Sequence, residues 1–157
     1  MSLIREYRDE DAPRLRECLV ELQEYERGMD ALLAEGELIA ARYIEFILAR
    51  CAETGGRVFV AEDEGRVVGF VSVWAKVKSR AIEEREYEYA YVSDLVVLGT
   101  HRGRGLGRAL LRRAEEHARG EGATLLRIAV LAKNDGARRL YESFGFEERL
   151  LELTKTL

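Results

Sequence analysis

Between residues 92 and 113 the chain runs from an apolar segment, through a glycine-rich loop, into a stretch with one apolar face. No other feature constrains the fold as strongly. A buried strand must end where a loop of bare backbone opens a helix. In Arg102-Gly103-Arg104-Gly105-Leu106-Gly107-Arg108 three alternating glycines leave N–H groups unshielded by side chains. An anion can therefore approach the main chain closely. The helix that follows adds its dipole and its unpaired N–H donors. Arg102, Arg104 and Arg108 supply full positive charge to the same place.

The rest of the chain can be read outward from this loop. Residues 2–7 form a short strand, and Asp9-Glu10-Asp11 with Pro13 starts a helix that ends near Gly28. Leu15, Leu19, Leu22 and Tyr25 recur at helical spacing and should face inward. A second helix covers 36–53, with Ile39, Tyr43, Phe46, Ile47 and Cys51 inward, and stops at Gly55-Gly56. Strands at 58–62 and 67–77 flank Asp63-Glu64-Gly65, which is a hairpin pattern. A longer strand over 86–98 carries Tyr87, Tyr89 and Tyr91 on one face and ends at the glycine loop. Beyond it lie a helix over 105–120, a strand over 124–131, a helix over 135–144 and a final strand over 146–156.

The order β-α-α-β-β-β-α-β-α-β predicts an α/β (α+β) fold: a mixed, mostly antiparallel central sheet with helices on both faces. The two helices inserted after the first strand are expected at one end of the sheet, beside a cleft. With 157 residues and no linker, repeat or low-complexity tract, residues 1–157 read as a single domain.

Composition excludes several classes of partner. A formal net charge of -4 does not suit a general nucleic-acid binder, and no aromatic-basic stripe runs along the chain. No segment approaches the ~20 apolar residues needed to cross a bilayer, and no leader pattern opens the sequence. Cys18 and Cys51 lack the close spacing of a zinc site and read as reduced core residues of a cytoplasmic protein.

The identity of the anion follows in part by elimination. A dinucleotide loop requires Gly-x-Gly-x-x-Gly, and here the third glycine arrives one residue early, with Arg at 108. A nucleoside-triphosphate loop requires Gly-Lys followed by Ser or Thr, which is absent. The spacing Arg-x-x-Gly-x-Gly, from Arg102 through Gly105 to Gly107, instead resembles the pyrophosphate-binding motif of the GNAT acetyltransferase superfamily. A second segment is similar to that superfamily's other signature: Asn134-x-x-Ala137-x-x-Leu140-Tyr141-x-x-x-Gly145-Phe146. The element order matches the superfamily over essentially the whole chain.

The resemblance implies an N-acetyltransferase that moves acetyl from acetyl-CoA to an amine. It implies that Leu95, Val96 and Val97 end a strand whose main chain pairs with the pantetheine arm. In this fold the sheet splays after that strand, and the arm satisfies backbone groups left open by the splay. The N–H of Val96 or Val97 would polarise the thioester carbonyl. Tyr141 would protonate the departing thiolate, and Asn134 would hydrogen-bond the arm, cap a helix, or do both. Some relatives carry a basic glutamate five residues before that Asn, and here Ala129 stands in its place.

Asp94 is the substitute base, because it interrupts an apolar run where a carboxylate is costly unless paired or used. A water chain ending at Asp94 serves equally well; alternatively Asp94 is purely structural, satisfied by Ser93 or a nearby Tyr or Arg. Glu24, Tyr25 and Glu26 could draw a cation toward the acceptor pocket, or could simply form a solvated helix end. The charged stretch from Lys76 to Glu88 reads as a hairpin tip or as an arm onto a second subunit of a homodimer. The alternative to an enzyme is a non-catalytic acyl-CoA-binding regulatory module. The acceptor, a small-molecule or peptide amine, has no readable code in the sequence.

Overall fold

A computed structural model describes residues 2–157. The elements are β1 (Ser2–Glu6), α1 (Ala12–Arg27), α2 (Gly36–Thr54), β2 (Arg57–Asp63), β3 (Arg66–Lys78), β4 (Glu88–Val97), α3 (Leu106–Gly120), β5 (Leu126–Ile128) and α4 (Asp135–Ser143). The strands form one sheet in the order β1-β2-β3-β4-β5. All neighbours are antiparallel except β4 and β5, which are parallel. The mixed, mostly antiparallel sheet expected from the sequence is present, with helices on both of its faces.

Two cores flank the sheet, because alternate residues of its strands point to opposite sides. On one side α1 and α2 bury Leu15, Cys18, Leu19, Ile44 and Ile47 against Val60 and Phe70. On the other, α3 buries Leu106, Leu110, Leu111 and Ala114 against Phe59, Val71 and Val92. Each fully buried leucine contributes ~2 kcal/mol, so these two layers hold the sheet. Helices α1 and α2 therefore cover a face, not one end as expected, since their apolar stripes need a flat apolar surface. Tyr25 and Phe46, expected inward, are instead 46% and 49% exposed. Ile44 and Ala40 take the inner positions of α2, because the buried stripe lies between the two helical rows that the sequence offers.

Two glycines allow the sheet to close. A Cβ on Gly69 would sit 2.5 Å from the Val96 carbonyl oxygen, and one on Gly56 2.2 Å from that of Val73. Helix α2 ends on Gly55 in the left-handed conformation, φ 71°, where a side chain would be strained. His117 Nε2 lies 2.9 Å from the Gly55 carbonyl oxygen and links α3 to that turn.

The final strand expected over 146–156 is not formed. Among the described residues the chain after α4 makes no strand, and β5 is three residues long rather than eight. A strand exists only where a partner offers its edge, and β5 is paired to β4 over Ala90–Val92 alone. Tyr87 and Tyr89 stack around Arg127, whereas Tyr91 packs against Trp74 beside α2. The three tyrosines thus do not act as one packed row.

Candidate active site

The site is created by one extra residue in β4. Val73 pairs with Val92, but Ser72 pairs with Asp94, so Ser93 has no partner on β3 and forms a bulge. Before the bulge, Ala90 and Val92 face α3. After it the alternation reverses: Leu95 and Val97 face α3, while Asp94 and Val96 turn toward α1 and α2. The bulge also reverses the main chain. Ala90 N–H donates to Leu125 O, just ahead of β5, at 2.9 Å, and Leu98 N–H donates to Val68 O on β3 at 2.9 Å. Counting back from Leu98, the main-chain groups of Val96 face β3, whereas those of Leu95 and Val97 face the opposite edge.

That opposite edge is open. Pairing between β4 and β5 stops at Val92 and Ile128, and the two strands diverge beyond it. The opening leads into a cleft of about 420 Å³ between α1, α2, β4 and the chain after β5. Glu26, Tyr43, Asp94, Asn134 and Tyr141 line it, with apolar walls from Leu22 and Leu95.

The cleft is acidic in character. Asp94 is buried and accepts hydrogen bonds from Tyr43 Oη at 3.0 and 3.1 Å. Burial pushes its carboxyl up to about 6, opposed by the hydroxyls of Ser93 and Tyr43. Glu26 is also raised, first by burial and then by the charge of Asp94. Tyr141 is buried and held protonated well above the ordinary phenol range, by burial and then by Glu26 and Asp94. These three groups feel one another electrostatically, and among the described residues no Lys, Arg or His lines the cleft.

At the far end of the open edge lies the glycine loop. Gly103 and Gly105 adopt the left-handed conformation, φ 76° and 79°, with open space where a Cβ would stand. Gly105 caps α3, and the first bond of the helix runs from Ala109 N–H to Gly105 O at 3.0 Å. The N–H groups of Leu106, Gly107 and Arg108 precede that bond and so have no partner within the helix. The cradle is thus a backbone one.

The arginines around it are each engaged with protein. Arg102 donates to Val97 O at 3.0 Å and lies over the Tyr25 ring. Arg104 approaches Asp63 at 3.7 Å. Arg108 stacks on Phe144 and donates to Ser143 Oγ at 2.8 Å. The α4 signature is similarly ordered. Asn134 Oδ1 caps the helix by accepting from Ala137 N–H at 3.2 Å, which leaves its amide NH₂ toward the cleft it lines. The ring of Tyr141 packs against Phe146, centroids 5.9 Å apart.

The residues named from sequence sort clearly. Asp94, Leu95, Asn134 and Tyr141 line the opening, Val97 packs on the α3 side, the glycines form the loop beyond it, and Val96 is turned into the core behind it. Of the three acceptor-side candidates, only Glu26 lines the cleft. Glu24 accepts from Gly36 N–H at 2.8 Å, where it ties down the start of α2, and Tyr25 supports Arg102. The sequence allowed a nearby tyrosine as the partner of Asp94, and the structure identifies it as Tyr43. An inward Tyr on α2 was the only signal available.

A mixed sheet that opens beside its central strands, with bare backbone N–H groups at the head of a helix, offers a place for an extended anionic ligand. Known proteins make the class specific. The sequence model of the Acetyltransferase (GNAT) family matches residues 6–146, and the chain belongs to that family. An uncharacterized N-acetyltransferase of Methanocaldococcus jannaschii is 35% identical over 123 residues, 78% of this chain and 52% of that protein. The chain thus matches about half the length of that relative. A thialysine N-epsilon-acetyltransferase of Bos taurus is 29% identical over 154 residues, 93% of this chain and 84% of its own.

Solved structures share the fold. A mutant of a Bacillus halodurans protein superposes with a TM-score of 0.85 at 21% identity, covering 99% of both chains. A GCN5-related N-acetyltransferase from Ralstonia eutropha gives 0.74 at 21% identity, covering 100% of this chain and 99% of the other. GNAT acetyltransferases generally take their acetyl group from acetyl-CoA. No helix among the described residues is long and apolar enough to cross a membrane.

Proposed function

We propose that this N-acetyltransferase domain uses acetyl-CoA to acetylate a primary amine that is cationic in solution and carries an apolar stem. The observation that carries the reading is the cleft itself: two carboxylates, Glu26 and Asp94, among apolar walls and without a basic side chain. An amine paired closely with a carboxylate would be repelled there. A thialysine-acetylating relative is consistent with an alkylamine acceptor.

The residues present fit acetyl-CoA. Its pyrophosphate suits the N–H groups of Gly103 to Arg108, and its pantetheine amides suit the main chain of Leu95, the N–H of Val97 and the amide of Asn134. When bound, it supplies an acetyl thioester beside Tyr141. The chain's own groups then divide the work. The main-chain N–H of Leu95 or Val97 donates to the carbonyl oxygen as negative charge develops on it. Asp94, positioned by Tyr43 and poised near neutral pH, takes the proton that the ammonium must lose before attack. Glu26 holds the substrate's positive charge in the cleft. Tyr141, kept neutral by its surroundings, gives its proton to the thiolate as the carbon–sulfur bond breaks and is restored by the second proton that the attacking nitrogen sheds.

Calorimetric titration with acetyl-CoA, followed by screening amines for release of free thiol, tests the reading. Tyr141→Phe is expected to bind acetyl-CoA as the parent does and to lose on the order of 10²-fold or more in kcat. Absence of acetyl-CoA binding refutes the donor. Unchanged kcat in Tyr141→Phe removes that residue from the mechanism, and preference for amino acids acetylated at the α-amine refutes the acceptor class.

A further inference from the structure

β5 places a guanidinium on the floor that runs outward from the cleft. Leu126 and Ile128 of this strand pack toward α3, so Arg127 between them faces the side of α1 and α2. Its main chain is in register with Tyr91 of β4, which packs on Trp74 on that same side. Two residues further along, Ala129 lines the cleft. The Arg127 guanidinium is held between two rings, 5.0 Å from the Tyr87 centroid and 4.2 Å from that of Tyr89. It also donates to Tyr87 Oη, and that hydroxyl donates in turn to Glu84 Oε2 at 2.6 Å. An arginine fixed in this way has lost its rotamer freedom before any ligand arrives.

The charge it carries is unmatched. Arg127 is half-buried and forms no ion pair with a carboxylate among the described residues. The other arginine stacked on this side, Arg50 over Trp74, is already paired with Glu53 at 2.8 Å. Charge is therefore zoned along one floor, with the carboxyls of Glu26 and Asp94 inside the cleft and the Arg127 guanidinium beyond it. On the β5 side of this floor the residue between the zones is Ala129, whose methyl group obstructs neither.

We infer that Arg127 is a second anchor for the acceptor: the amine enters the cleft, and a carboxylate at the other end of the same molecule pairs with this guanidinium. The inference rests on the acceptor class proposed above and narrows it to amphoteric alkylamines. Each zone rejects the wrong end, since Asp94 repels a carboxylate and Arg127 repels an ammonium. Asp94 stands three residues beyond Tyr91, one of them the bulge, and Arg127 lies one strand across, so the two side chains start about 10 Å apart. An extended ω-amino acid with about six single bonds of ~1.5 Å each bridges that distance together with its two hydrogen bonds. The guanidinium fork suits two-point contact with the carboxylate. A diamine of equal length would set its second ammonium against Arg127 and is disfavoured.

Thiol release by the full chain with acetyl-CoA, over a series of ω-amino acids each beside the alkylamine of equal length, provides the test. In the parent, kcat/KM is expected to favour the amino acid by on the order of 10-fold or more at the best length, mostly through KM, as charge-assisted hydrogen bonds provide. Arg127→Gln is expected to bring that ratio close to one, and Arg127→Lys to keep part of it. Both amines are compared in the same protein, so any loss of folded material cancels from the ratio, and calorimetry with acetyl-CoA reports that loss separately. Release with alkylamines but no preference for the amino acids overturns this inference and leaves the acceptor class standing. A preference that survives in Arg127→Gln assigns the carboxylate to another residue and overturns it as well. Release with neither series refutes the acceptor class, and this inference with it.

Discussion

Replacing Asp94 by Asn separates its cost to stability from its part in the chemistry. Burial raises the carboxyl from 3.8 to about 6, so about nine-tenths of it is ionised at pH 7. The native state therefore binds more protons than the unfolded chain between about pH 4 and pH 6. Stability falls as pH rises through that window, and the deficit is complete above it. The rise from 3.8 to about 6 corresponds to about 3 kcal/mol. Asn keeps an oxygen for the Tyr43 hydroxyl and cannot ionise. Urea unfolding should show the variant more stable than the parent by up to about 3 kcal/mol at pH 8, with the gap closing near pH 4.

Activity moves the other way. For the parent, kcat/KM measured by thiol release should rise with pH through about 6 as Asp94 loses its proton. The variant should lack that limb and be slower by ~10²–10⁴-fold, the range of a lost general base. An unchanged limb near pH 6 in the variant refutes Asp94 as the titrating base. A variant no more stable at pH 8 than the parent refutes the burial argument beneath it.

Other substitutions test the surrounding framework. Gly105→Ala forces a side chain into φ 79° at the start of α3; it should cost ~1–2 kcal/mol in thermal unfolding and weaken acetyl-CoA binding in calorimetry. Asn134→Ala removes the cap of α4 and should lower stability by ~1 kcal/mol while raising the KM for acetyl-CoA. Gly69→Ala places a Cβ 2.5 Å from Val96 O, so β4 must move where the sheet opens. Loss of both Tm and acetyl-CoA affinity is expected, and a parent-like Tm would show that β3 yields instead.

Much of this architecture is legible because local chemistry and tertiary need agree. The apolar run before Gly99, the alternating glycines and the amphipathic α3 each require their local structure in any fold, so their order carries the cradle with it. The Asn134 cap and the inward Tyr141 follow equally from the spacing of α4. Helices α1 and α2 were readable as helices but not in their orientation. Tyr25 and Phe46 have the spacing of buried residues, and only the position of the sheet decides which row of the stripe is covered.

Local chemistry was enough to set the series of elements, the glycine loop and the residue types near it. Tertiary structure alone decided the bulge at Ser93, because a bulge depends on the partner strand's register and has no signature in the bulged strand. That single residue turns Asp94 toward Tyr43 and Glu26 and leaves Leu95 and Val97, not Val96, with main chain on the open edge. Tertiary structure also decided that 146–156 is no strand, although its composition suits one. A helix closes its hydrogen bonds within itself, but a strand exists only beside another edge, and sequence does not say which edge is free.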